Sequence, residues 1–133
     1  FKLLASISNR STYDNNRTFL APTHSWPNYV SSLVDKHDPH YMIPINSQYN
    51  PSQIKKKMFE LYPTCEIIHE FGNNNHYDLI FKVYHGTYNF ADDVSLRIYP
   101  YGIIDFVSLS RVGYSDIGVN KKRMMNISNK LSC

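Results

Sequence analysis

The sequence predicts one α+β domain, in which an antiparallel sheet of about four or five strands is packed by two helices. Three observations lead to this prediction. The length of 133 residues suits a single domain. Apolar residues make up 42% of the chain, which is enough for a core without disulfides or metals. The periodic patterns run in the order helix, four strands, helix, which favours an antiparallel sheet with both helices on one face.

Capping signals and apolar spacing predict the two helices. Asn50 is a suitable N-cap, and Pro51 stands at the first helical position, where its missing N–H costs nothing. Apolar residues then recur at helical spacing until Pro63 ends the helix. A second helix is expected from Val119 to Leu131, with its apolar side chains buried.

Between the helices, β-rich runs separated by turn residues predict four strands. The expected strands are Cys65 to Phe71, Tyr77 to His85, Val94 to Tyr99 and Ile103 to Ser110. The turn from Pro100 to Gly102 predicts a hairpin between the last two. Residues 1–25 lack any such period, so we expect an irregular N-terminal arm there and the α+β domain over residues 26–133.

The charge pattern indicates which classes of partner the chain could bind. The net charge is only +3, and the clusters at Lys55–Lys57 and Lys121–Arg123 fall on predicted helices. We interpret them as solvated helix faces, so no nucleic-acid partner is expected. No apolar run approaches about 18 residues, so the chain is predicted to have no transmembrane span of its own. A mild positive charge still permits peripheral association with an anionic membrane surface.

The motifs of common catalytic and cofactor sites are missing from the sequence. His37 and His40 lie in a polar loop without the paired spacing of zinc ligands. Gly113 and Gly118 do not form a phosphate-binding loop, and neither cysteine stands in a catalytic signature. We therefore predict no catalytic residue, no metal site and no cofactor.

Polar residues that could take part in binding or catalysis concentrate before one strand and around the start of the last helix. The candidate site residues are Asp92, Asp93, Arg111, Ser115, Asp116, Asn120 and Arg123. One interpretation is a structural network, Arg111–Asp116–Arg123, that closes the corner between strand and helix. The other is a site for an anion or small ligand, in which the adjacent carboxylates could also serve as acid and base.

The same stretch resembles the signature of an uncharacterised family, the domain of unknown function 1499. Its members carry Ser-x-Ser-Arg-x-Gly-x-Ser-Asp-x-Gly-x-Asn-(Arg/Lys)-x-Arg, and Ser108 to Arg123 is similar to this pattern. Asp92-Asp93 resembles the upstream acidic pair of the family. Pro27 to Ser32 is similar to its Pro-Asn-Cys-Val-Ser-Ser opening, with Tyr29 in place of the cysteine. The resemblance covers about residues 26–131 and implies a shared fold, but no activity.

We expect a non-enzymatic accessory or scaffold subunit, docked on a larger, membrane-associated assembly of other protein subunits. The polar arm, the eleven tyrosines and the missing catalytic motifs favour this hypothesis. The alternative is a small-ligand or anion-binding protein, or an enzyme, that uses the Arg111, Asp116 and Arg123 region.

The expected location is an organelle, with the mitochondrion favoured over the plastid. The chain starts with Phe1 rather than methionine, which suggests removal of a leader. Members of the family resemble exported or membrane-linked bacterial proteins and plastid proteins, so export or secretion is the alternative.

Overall fold

The computed structural model describes residues 29–86, 90–111 and 117–132. These residues form an antiparallel sheet with two helices, which confirms the predicted α+β fold class. The predicted arm, residues 1–25, lies outside the described residues. In chain order the elements are β1 Tyr29–Ser31, β2 Ile45–Asn46, α1 Pro51–Leu61, β3 Glu66–Gly72, β4 Tyr77–His85, β5 Phe90–Ile98, β6 Ile103–Ser110 and α2 Ile117–Leu131.

The sheet is built on a meander of four long strands. Its order is β1-β6-β5-β4-β3, and the short β2 also pairs with β6, beyond the end of β1. All of these pairings are antiparallel. Among the described elements β3 pairs only with β4, so β3 forms one edge of the sheet.

Both helices pack on the same face of the sheet and enclose the main core. Helix α1 begins with a capping box, in which Asn50 and Gln53 each accept a hydrogen bond from the other's backbone N–H at 2.9 Å. The core residues from the two helices are Ile54, Met58, Met124, Ile127 and Leu131. Those from the long strands β4 to β6 are Leu79, Phe81, Val83, Val94, Leu96, Ile98, Ile104 and Phe106.

A smaller cluster lies on the opposite face of the sheet. Ile80, Val107 and Leu109 are buried there, with the partly buried Tyr29 packed against them. The strands β4, β5 and β6 are therefore buried on both faces, which explains why charged residues of both faces are also buried.

The strand boundaries differ from the prediction in one informative place. The expected bounds of β4 and β6 are confirmed, but β5 begins at Phe90 rather than Val94. The early part of β5 contains Asp92 and Asp93, and carboxylates are depleted in strands unless partners compensate them. No described helix is long and apolar enough to span a membrane.

Candidate functional site

Asp92 and Asp93 are adjacent residues in the first half of β5, and they face opposite sides of the sheet. Asp92 pairs with Val83 of β4, which belongs to the main core under the helices. Asp93 pairs with Leu109 of β6, which belongs to the cluster on the opposite face. Successive strand residues point to opposite faces, so the two carboxylates meet different partners. Both are completely buried.

Under α2, a group of five polar residues, which we call the helix-face group, fills the contact between helix and sheet. It consists of Asp92, Ser108, Ser110, Asn120 and Arg123, all of them buried. The Nη2 atom of Arg123 lies 2.6 Å from Oδ2 of Asp92. The Nη1 atom of Arg123 donates to Oδ1 of Asn120 at 3.0 Å and to Oγ of Ser108 at 3.3 Å.

Asn120 connects the group to β6 through both ends of its amide. Its Oδ1 accepts a hydrogen bond from Oγ of Ser108 at 2.7 Å, and its Nδ2 donates to Oγ of Ser110 at 2.8 Å. Ser108 and Ser110 are two residues apart on β6 and therefore lie on one face of the sheet. The amide of Asn120 thus fixes the position of α2 along β6.

Asp92 has a second basic neighbour, His85, at the end of β4. The Nε2 atom of His85 lies 3.2 Å from Oδ2 of Asp92, and the imidazole is about one-third exposed. Among the described residues, neither carboxylate oxygen of Asp92 has a partner in hydrogen-bonding geometry. The close approach of Arg123 is therefore an electrostatic contact rather than an aligned hydrogen bond, and Oδ1 of Asp92 is buried without a donor.

On the opposite face, Asp93 and Arg111 form a second buried ion pair. The Nη2 atom of Arg111 lies 2.8 Å from Oδ1 of Asp93, and its Nε lies 3.1 Å and 3.2 Å from the two carboxylate oxygens. The backbone N–H of Arg111 donates to the carbonyl of Ala91 at 3.2 Å, which extends the β5–β6 pairing by one residue. Arg111 is held by backbone and side chain together.

The structure thus divides the predicted site residues between the two faces. Asp92, Asn120 and Arg123 come together under α2, while Asp93 and Arg111 pair on the other side. A single network containing both arginines is not formed by the described residues, because the sheet separates them. Ser115 and Asp116 lie outside the described residues.

His85 is a neighbour of this site to which the sequence does not point. Six histidines without a shared spacing gave no reason to select it. The register of the sheet identifies it, because His85 and Phe90 are the last cross-strand pair of β4 and β5, which places His85 close to Asp92.

Two other kinds of site can be assessed among the described residues. No group of three or more His, Cys, Asp or Glu side chains in this part of the chain is arranged to hold a metal ion. Cys65 is a free thiol that is buried in the core, and burial raises its pKa. A thiol in that environment is a small apolar side chain rather than a nucleophile.

Comparison with known proteins identifies the family of this chain. No curated protein and no solved structure matched the chain. A family model described as a protein of unknown function (DUF1499) matches residues 19–131, which is most of the sequence. The match includes β5, β6 and α2, and with them both buried ion pairs. The chain therefore belongs to the DUF1499 family.

Proposed function

We propose that this protein is a non-enzymatic accessory subunit that docks on a larger assembly of other protein subunits through the exposed edge of its sheet. The observation that carries the proposal is the β3 edge, which we define as strand β3 with the exposed side chains of Phe59, Ile68 and Phe71. Two further features of the described residues support it. Both arginines of the candidate site pair with buried carboxylates, and part of β3 pairs with β4 without a bulge.

Both arginines of the candidate site form ion pairs with carboxylates inside the protein. Arg111 pairs with Asp93 and Arg123 with Asp92, and all four side chains are buried. An anionic ligand would have to displace a carboxylate that already neutralises each guanidinium, and a buried charge left without its partner costs about 3–5 kcal/mol. These pairs are therefore better suited to holding the fold than to binding an anion.

The β3 edge has the features of a protein contact. Phe59 is 40% exposed, Ile68 40% and Phe71 52%. Phe59 packs on the helix side, at 6.3 Å from the ring of Phe81, whereas Phe71 pairs with Asp78 and points to the opposite side. Apolar side chains thus flank the edge on both sides, and a strand at the edge of the described sheet can accept another strand.

The edge is regular only over part of its length. The pairing of β3 with β4 shifts between Ile67 and His69 and is continuous from His69 to Gly72. Bulges limit strand addition, so the partner strand should pair along the continuous segment. We infer that the partner contributes one short strand with apolar side chains that cover Phe59 and Phe71.

The test is the native mass of the chain in gently solubilised extract from its source cells. We expect tagged protein to migrate far above the monomer mass of 15.5 kDa, together with defined companion proteins. Migration of the wild-type chain at the monomer mass would contradict the proposal.

A matched pair of variants locates the contact. Phe71→Glu places a charge on the β3 edge and should return the chain to the monomer mass. Met125→Glu is the control, because Met125 is also 52% exposed but lies on α2, away from β3. If both variants stay in the large species, the edge is not the docking surface.

An organellar location, with the mitochondrion favoured over the plastid, accompanies this proposal, as does peripheral association of the assembly with a membrane. Fractionation of the same cells tests both. Recovery of the chain in the culture medium would favour the alternative of a secreted protein.

A second candidate is a small-ligand site, or an active site, at the helix-face group. It is favoured by one observation: Oδ1 of Asp92 is buried with no donor from the described part of the chain, beside a histidine that solvent can reach. A ligand there would contact His85 and donate to Asp92. Replacing His85 by Ala should then abolish ligand binding without lowering stability, whereas an equal thermal shift with and without His85 would exclude this site.

A further inference from the structure

A cleft at one end of the sheet lies far from the buried ion pairs. It forms where the β3–β4 turn, the β5–β6 turn and the loop before α1 meet. Its volume is about 450 Å³, within the range of roughly 300–1,000 Å³ that small-ligand sites occupy. We propose that this cleft binds a neutral carbohydrate, namely a short oligosaccharide or the end of a glycan chain.

Aromatic rings supply the first argument. Tyr49, Tyr77, Tyr99 and Tyr101 line the cleft. The rings of Tyr99 and Tyr101 stack at 5.1 Å with an angle of 18° between their planes, and Tyr101 is 71% exposed. Sugar rings present C–H groups on one face, and these groups carry the partial positive charge that the negative face of an aromatic ring attracts.

Amide side chains supply the second argument. Gln48, Asn50, Asn73 and Asn74 also line the cleft. Each amide carries a donor and an acceptor, which matches sugar hydroxyls, since these also donate and accept. Oδ1 of Asn73 already accepts from the backbone N–H groups of Asn75 and His76, so its NH₂ group is oriented by the turn that holds it.

Charge supplies the third argument. Of the described residues that line the cleft, none is a lysine, arginine, aspartate or glutamate. His76 also lines the cleft, but its Nδ1 lies 3.1 Å from Oδ1 of the buried Asp78, so this imidazole is directed at a carboxylate within the protein. The lining therefore offers little compensation for an anion or a metal ion. A neutral, hydroxyl-rich ligand is the class that stacked tyrosines and several amides fit together.

The cleft is also held in place by contacts within the protein. The N–H of Ser47 donates to the carbonyl of Gly102 at 2.9 Å and ties the loop before α1 to the β5–β6 turn. Gly102 has φ +92°, and a Cβ there would meet the carbonyl oxygen of Ser47 at 3.3 Å. The Tyr77 hydroxyl donates to Glu70. A rigid cleft loses little entropy when a ligand binds.

The experiment is a titration of the purified full-length chain with neutral oligosaccharides, monitored by calorimetry and by amide shifts in NMR. The probes are maltotetraose, cellotetraose, mannotetraose and tri-N-acetylchitotriose. We expect at least one of them to bind and to shift the amides of the two turns that line the cleft. No binding of any of the four at millimolar concentration would overturn the proposal.

Variants and competing probes make the result specific. Tyr101→Ala should weaken binding by at least about tenfold, because an exposed stacking ring is lost while the fold remains. Tyr84→Ala is the control, since Tyr84 stands at the opposite end of β4 from Tyr77. Equal loss in both variants would place the ligand elsewhere. Binding of a proline-rich peptide in place of every sugar would make the cleft a peptide groove and overturn the carbohydrate assignment.

A last comparison separates the two sources of the sugar. Glycoprotein-linked glycans and free oligosaccharides share the chemistry that the cleft recognises. A neutral N-linked glycopeptide that binds at least as tightly as the free sugar assigns the site to glycan chains. Weaker binding of the glycopeptide assigns it to free oligosaccharides.

Discussion

Arg123 is a single residue that shows how this protein buries charge in its core. The guanidinium contacts Asp92, Asn120 and Ser108, so its charge and part of its hydrogen-bonding capacity are matched inside the protein. Removal of one member of such a pair leaves the other charge buried without compensation. Arg123 is therefore important mainly because Asp92 would be buried without a compensating charge if Arg123 were absent.

Replacing Arg123 by Ala should lower the free energy of unfolding by about 3–5 kcal/mol, because Asp92 would remain buried without its arginine partner. Urea denaturation followed by circular dichroism measures this loss. Lys122→Ala is the matched control on the same helix, where the side chain is exposed, and should change stability by no more than about 0.5 kcal/mol.

The double variant Asp92→Leu with Arg123→Met removes both charges and should recover much of the lost stability. If Arg123→Ala is no more harmful than Lys122→Ala, the ion pair does not stabilise the fold. If the double variant is as unstable as the single one, hydrogen bonding by Arg123, rather than its charge, is what the fold requires.

At the scale of elements, the best-predicted features are those with local causes. Helix α1 was expected from Asn50, Pro51 and Pro63, and the structure has it from Pro51 to Leu61. Its start depends on a cap whose partners are three residues apart, so the local sequence contains the whole signal.

Replacing Asn50 by Ala should therefore cost about 1 kcal/mol, because the N–H of Gln53 loses its acceptor. Thermal unfolding measures the change. Asn50→Asp keeps an acceptor oxygen at the cap and should leave stability nearly unchanged. Equal losses in the two variants would show that the cap does not act through this hydrogen bond.

Elements with distant causes were not predicted. Strand β1 is three residues long and exists because it pairs with Val107 to Leu109, far along the chain. The first part of β5 was not predicted for the same reason, since its two aspartates are acceptable in a strand only beside Arg111, which follows β6, and Arg123 of α2. The residues of the candidate site could be named from the sequence, but their division between two faces required the register of the sheet.

At the scale of the whole molecule, stability is concentrated in the central strands. Strands β4, β5 and β6 each have a neighbour on both sides and are buried on both faces, whereas β3 is at an edge with most of its residues exposed. Native structures open first where buried contacts are few. The proposed docking edge is therefore also the part of the sheet that should open most readily.

Amide hydrogen exchange tests this distribution. The amides of Phe81 and Leu96 should exchange only through global unfolding, and that of Ile68 should exchange at least about tenfold faster. Within the assembly we expect the amides of His69 to Gly72 to slow, because the partner strand covers them. Uniform protection across the sheet of the isolated domain would contradict this expectation.

The opposite orientation of Asp92 and Asp93 has a consequence for folding. If β5 slid by one residue against its neighbours, every side chain would change faces. The two aspartates would still face opposite sides after such a slide, because they are adjacent, and each would meet the arginine of the other. Val94, Leu96 and Ile98, however, would leave the main core, and Arg97 would enter it. The aspartates therefore tolerate an error of alignment that the apolar residues of the same strand do not, and the apolar alternation of β5 sets its register.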